Sequence, residues 1–252
     1  MKLSQNKRIT ISMLVVSALF WMLLLVNPGH IMAMRYCHVF ASCPSPTSFQ
    51  MLLGMKFFSS QFIGWGLMVV AMMLPKLILP IQFIYQQSFK RYRFVCALLF
   101  VLGYMQIWMI AGFFMITVIM GFNLLLPLSY IPAMGLFAIA IVWEISPMKQ
   151  WFLNLGHDHR ILSAFGWKAF RDSLFFGLTH GVWCFGSGWA LMLFPMLLPK
   201  GHNLAMLLVT FIMISEHLEN PRFPMWFLPP RLKLLKIIIA QTRIKLITSL
   251  GI

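Results

Sequence analysis

Acidic residues are scarce. The 252-residue chain has 5 Asp and Glu against 20 Lys and Arg, and only 10% of its residues are charged. The five are Glu144, Asp158, Asp172, Glu216 and Glu219, too few at any one depth for a carboxylate dyad or an intramembrane proton path. No Gly-rich phosphate loop and no Ser-His-Asp arrangement occurs, so the sequence offers no catalytic constellation and reads as a non-enzyme. Four cysteines, Cys37, Cys43, Cys96 and Cys184, do not fall at the spacing of a structural zinc site.

What is present is apolar. Sixty per cent of the chain is hydrophobic, with 24 Phe, 21 Met and 9 Trp, and a soluble core cannot hide that much surface. Charge-free stretches locate transmembrane helices near 9–28, 60–82, 94–120, 131–147, 173–198 and 204–220. The expected fold is therefore all-α: a six-helix transmembrane domain over 1–220, followed by a basic tail over 221–252. The first apolar run is longer than a signal-peptide core and reads as a retained anchor. In the tail, Lys233, Lys236 and Arg243 share roughly one helical face among Leu and Ile, so an amphipathic helix lying on the membrane surface is expected in preference to a seventh span.

Sixteen of the twenty basic residues fall at the N-terminus, in the second-to-third and fourth-to-fifth connections, and in the tail. The positive-inside rule then puts both termini on the cytoplasmic side of the membrane. The net charge of +15 reflects topology and anionic lipid, since the charges are scattered among short loops, and nucleic acid is excluded as a partner.

Two phrases nearly repeat: GWGLMVVAMMLPK over 64–76 and GWALMLFPMLLPK over 188–200, identical at eight of thirteen positions. They fall on spans of opposite direction, as in an inverted repeat, although convergence of membrane-helix ends gives the same letters. Matched kinks at Pro75 and Pro199 and packing of the second span against the fifth are expected. Lys200 reaches outer headgroups. Lys76 lies within an apolar run and needs a carboxylate, with Glu216 the first choice and Glu144 the second.

Soft donors recur at helical spacing. His180 and Cys184 lie one turn apart, as do Met192 and Met196, and Met68 and Met72. Thiolate, imidazole and thioether together suit Cu(I), while the same residues also serve as ordinary core packing. The segment HIMAMRYCHVFASC gathers His30, Met32, Met34, Cys37, His38 and Cys43 on the outer side. A Cys37–Cys43 disulfide is the favoured reading there over metal capture.

The phrase MVVAMMLP at 68–75 resembles the second-helix signature of a family of bacterial predicted metal-binding integral membrane proteins of unknown function. GLTHGVWCFGSGWALM resembles that family's Gly-x-x-x-Gly-x-x-Cys-x-Gly-Cys-Cys-Trp-x-Leu-Met phrase through Gly177, Gly181, Cys184, Gly186, Trp189, Leu191 and Met192. Pro147-Met148-Lys149 and Glu216-His217 stand where the family has Pro-Leu-Lys and Glu-Lys. The resemblance spans most of 60–220. Ser187 and Gly188 replace the paired cysteines, and the cysteines expected after Lys149 are absent, which removes most of the thiolates a family metal site would use. The favoured reading is accordingly a non-catalytic accessory subunit of a larger membrane complex, such as a copper metalloenzyme, with lipid and other integral subunits as partners and no metal of its own. The alternative is a free-standing copper-binding, delivery or transport protein.

The outer-loop reading is directly testable. Mass spectrometry of non-reduced protein is expected to find Cys37 and Cys43 linked; free thiols at both, or a metal between them, would overturn it.

Overall fold

The computed structural model describes residues 2–26, 55–125, 130–157, 162–198, 201–226 and 233–249, and among them every regular element is a helix. They are α1 (Lys2–Val26), α2 (Met55–Met73), a 3₁₀ turn (Leu74–Leu77), α3 (Ile78–Gln87), α4 (Arg93–Leu125), α5 (Ile131–Ile145), α6 (Pro147–Gly156), α7 (Gly166–Met196), α8 (His202–His217) and α9 (Lys233–Ser249).

Three stretches are long and apolar enough to cross a membrane: Gln5–Val26, Gln61–Gln87 and Arg93–Phe122. A fourth is available if α5 and α6, bent by 66° at their junction, count as one span. Six spans are therefore not supported among the described residues. The helices lie where the charge-free runs put them, but the last two differ in kind. At 31 residues α7 is about 46 Å long. However, Gly177, Gly181, Gly186, Gly188, His180, Ser173 and Ser187 dilute its apolar character, and all seven are buried. At 16 residues α8 is short for a span. Both are shaped for helix contact more than for lipid.

The polarity of the bundle is that of a membrane protein. Large apolar side chains point outward along α1 (Leu19, Val26), α4 (Phe94, Ile110, Phe114) and α5 (Ile131, Met134). The interior holds Trp65, Phe100, Tyr104 and Trp108 beside several buried polar groups.

The centre is the crossing of α4 and α7, the most extensive helix contact in the molecule. Small residues permit it. A β-carbon on Gly103 would come within 2.6 Å of the Leu174 carbonyl oxygen, and one on Gly177 would strike the Phe100 carbonyl. Lipid gives helices no hydrophobic drive to associate, so such close backbone approach supplies the packing. Around this pair, α2 lies on α4, where the Trp65 indole N–H donates to the Trp108 carbonyl (2.9 Å). α1 lies on α2 and is tied by Ser17 Oγ to the Ala71 carbonyl (2.7 Å) and by Gln82 Nε2 to Thr10 Oγ1 (2.9 Å).

Two proline breaks shape the ends. Pro75 lacks the N–H that would continue α2, and the chain tightens into the 3₁₀ turn before α3. Pro147 holds Ser146 in extended backbone (ψ 144°), and Ser146 caps α6 by accepting from the Lys149 N–H (3.2 Å). The expected packing of the second span against the fifth is not the arrangement found. α2 packs on α1 and α4, and α7 packs chiefly on α4, so Trp65 meets Trp108 of α4 while Trp189 meets Trp143 of α5. Pro199 and Lys200 lie outside the described residues, and Pro195 is the proline within α7. The tail helix α9 meets α8, its Leu234 N–H donating to Ser215 Oγ (3.2 Å).

Gly177→Leu is expected to force α4 and α7 apart and cost roughly 1–3 kcal/mol, read as a lower thermal midpoint in detergent. Gly135→Leu, at an exposed site with open space around it, is expected to leave the midpoint unchanged.

Candidate metal centre

Two buried polar clusters sit inside the bundle. The first is built by the 3₁₀ turn, α4 and α7. The turn after Pro75 directs Lys76 inward, leaving it 4% exposed. Its amine donates to Cys184 Sγ at 3.3 Å. The Tyr104 hydroxyl donates to the same sulfur at 3.1 Å. One turn before Cys184 on α7, the buried His180 ring packs against Phe100, Tyr104 and Phe176, with centroids 5.8, 6.1 and 6.0 Å away.

The second cluster is ionic. The Ser146-Pro147 bend swings the first turn of α6 back across the bundle and buries Lys149 completely. Its amine pairs with Glu144, just before the bend, and with Glu216 of α8 at 2.8 Å. Beside it, a shallow cleft is lined by Gln150, Leu153, His157, Glu216, Glu219 and Asn220.

The Lys76–Glu216 pair expected from depth is thus replaced. Glu216 takes Lys149, and Lys76 takes a thiol. The reason is the α6 bend: a lysine that appears to lie in a loop is folded into the interior, closer to both carboxylates. Asp172 lies in the second turn of α7, not at its start, and its carboxylate accepts from Ser163 Oγ (2.6 Å) in the segment before the helix.

The remaining candidates divide. His180 and Cys184 share a buried face. Met68, Met72, Met192 and Met196 are buried members of one continuous hydrophobic core. Cys37, Cys43 and the rest of the outer-loop donors lie outside the described residues. Tyr104 was not singled out by sequence, and Lys149 entered only through the Pro147-Met148-Lys149 phrase, with no role given to it. Tyr104 carries no local signal, whereas Lys149 follows a Ser-Pro break five residues after a lone Glu.

The donors fit copper in type, one thiol and one imidazole on adjacent turns amid thioethers. They are not a preformed multidentate cage: no group of three or more His, Cys, Asp or Glu is arranged to hold a metal among the described residues. The Cys184 sulfur is already hydrogen-bonded by a cation and a phenol, so a metal ion would have to displace at least one of them.

A helical bundle with apolar faces outward and three to four helices long and apolar enough to cross a membrane defines the class, a multi-pass helical bundle. Within that class the chain belongs to the PpoB2 copper chaperone family, whose model matches residues 62–226. That stretch includes every residue of both clusters. No curated protein and no solved structure matches the chain.

Lys149→Met is expected to take this ammonium from the buried Glu216 and the half-buried Glu144 and cost about 3–5 kcal/mol. Adding Glu216→Gln should recover part of that loss in a double-mutant cycle followed by unfolding in detergent. Equal stability of Lys149→Met and wild type would contradict the pairing.

Proposed function

We propose that this chain is a membrane-embedded copper-delivery protein that takes Cu(I) as cargo and passes it to another integral membrane protein. Family membership over two thirds of the chain supports a copper role. The observation that carries the assignment to a residue is the Cys184 sulfur, buried at the helix crossing with His180 one turn away and Lys76 against it.

The chemistry follows from the donor set. Cu(I) favours low coordination and soft ligands, so one thiolate and one imidazole suffice to hold it without a rigid cage. Binding converts the Cys184 thiol to a metal-bound thiolate and releases its proton. Lys76 and Tyr104 satisfy the sulfur when no metal is present, so the site need not collapse once copper leaves. A weak, incomplete ligand set is suited to delivery, because a cargo ion must depart as well as arrive. This favours copper delivery over an accessory-subunit role.

Placement in a bacterial inner membrane with both termini cytoplasmic is supported by the clustering of basic residues. On that orientation the Lys149 end faces the cytoplasm, and α9, with its lysines, lies along the inner leaflet.

Anaerobic loading of the detergent-purified chain with Cu(I), followed by metal analysis, is expected to give about one bound equivalent. Cys184→Ser should lose most of it, and Cys96→Ser, at a cysteine on the opposite side of the α4–α7 seam near Ala169, should not. Copper retained equally by wild type and Cys184→Ser would overturn the assignment of that sulfur.

A further inference from the structure

We infer that Lys76 and Cys184 are a site of covalent modification: dioxygen joins them through one bridging oxygen, as a reversible S–O–N link, and so closes the sulfur to copper. The link itself needs no copper. Its consequence for copper rests on the reading above.

The geometry comes from two elements far apart in sequence. Pro75 ends α2, and the 3₁₀ turn carries Lys76 inward beside the buried Leu74 and Leu77. Cys184 arrives from α7. Nζ and Sγ stand 3.3 Å apart, and both residues are buried. A single bridging oxygen holds sulfur and nitrogen roughly 2.7 Å apart, so closure by well under an ångström completes the link. A direct S–N bond, at roughly 1.7 Å, asks for more than twice that movement through a close-packed interior.

The surroundings select this product. An exposed oxidised cysteine advances to sulfinic and sulfonic acids or meets a second thiol. The other described cysteine, Cys96, lies elsewhere along the α4–α7 seam, its sulfur 3.9 Å from the Ala169 carbonyl. The groups against the Cys184 sulfur are the Lys76 amine and the Tyr104 hydroxyl, at 3.1 Å. Of the two the amine is the nucleophile, and the phenol holds the sulfur in place. No carboxylate pairs with Lys76 among the described residues, so none draws the amine away. Cys184 belongs to the hydrophobic core, which keeps out the water that would compete for an oxidised sulfur. Dioxygen, small and apolar, enters such an interior from the hydrocarbon of the membrane.

The balance is one thiol, one amine and one dioxygen giving the link and one water. The S–H bond and one N–H bond break, and an S–O and an O–N bond form. Sulfur and nitrogen each give up two electrons, and the four reduce dioxygen. One of its oxygens becomes the bridge. The other leaves as water with the two hydrogens, and an amine that starts as ammonium gives its extra proton to solvent. Two equivalents of a dithiol reverse the change, returning thiol, amine and water. While linked, the sulfur has no thiolate to offer Cu(I).

The test uses the full chain in detergent, purified anaerobically under reducing conditions and then divided, one half being equilibrated with dioxygen. Peptide mass spectrometry without reductant is expected to find the Lys76 and Cys184 peptides joined, about 14 Da heavier than their sum, in at least about half of the aerated molecules. Cys96 should remain a thiol. Dithiothreitol should separate the two peptides. Before that treatment the aerated half should bind at least about fivefold less Cu(I) than the reduced half, and afterwards it should match it. Lys76→Met, with its fold checked by circular dichroism and gel filtration, should form no link and leave Cys184 to advance to sulfinic acid. The wild-type protein decides the matter by itself: Cys184 still a thiol after aeration, or oxidised with Lys76 unmodified, would overturn the link. Cu(I) binding by the reduced protein in that case leaves the copper reading standing. A link formed in a protein that binds no Cu(I) when reduced would overturn the copper reading and leave the link.

Discussion

The close crossing of α4 and α7 is the contact on which the rest of the molecule depends. Glycine at 103 and 177 lets the two backbones touch, and Gly181 continues the contact against Ile107 one turn on. That approach brings Phe100 and Tyr104 of α4 beside His180 and Cys184 of α7. A larger side chain at either glycine would widen the seam, and the Tyr104–Cys184 hydrogen bond would go with it. The same seam explains why α7 is too polar to look like a simple span. Its residues were selected for contact with four neighbouring helices, and lipid is met mainly by α1, α4 and α5.

Charge inside a low-dielectric bundle must be compensated, and the chain does so in two ways. Lys149 is neutralised by carboxylates from both sides. Lys76 is not. Its contact is a sulfur, a poor hydrogen-bond acceptor as a thiol but a strong partner as an anion. A buried lysine with no carboxylate partner among the described residues is costly to keep for packing alone. It makes sense next to a group that carries negative charge in part of its working cycle, as a cysteine that binds and releases Cu(I) does. On the copper-delivery proposal the two clusters take separate roles: Lys149 ties α6 to α8 beside the cleft, and Lys76 attends the sulfur proposed to bind the metal.

Much of this was legible in the amino acids, and the misses have physical causes. Helix positions follow from charge-free runs, and the break at Pro75 follows from its missing N–H. The number of spans does not follow, because the polar and glycine-rich face of α7 and the shortness of α8 are set by tertiary packing that hydropathy cannot see. Depth alone paired Lys76 with Glu216. The 66° bend between α5 and α6 defeats that reasoning by carrying Lys149 inward from an apparent loop. His180 and Cys184 were legible from i, i+4 spacing. Tyr104 was not, since it reaches the same sulfur from a different helix. The methionine pairs that suggested ligands sit within the hydrophobic core, consistent with the ordinary use of a flexible thioether as filler.

The central claim is that copper binds inside the bundle, on sulfur and imidazole together, and not on the exposed face. The copper K-edge absorption spectrum of the Cu(I)-loaded wild-type chain addresses this most directly. The account predicts a low-coordinate Cu(I) edge, with one sulfur scatterer and the multiple-scattering pattern of imidazole. A spectrum fitted by oxygen and nitrogen alone, with no sulfur and with the coordination number of a surface-bound ion, would contradict it.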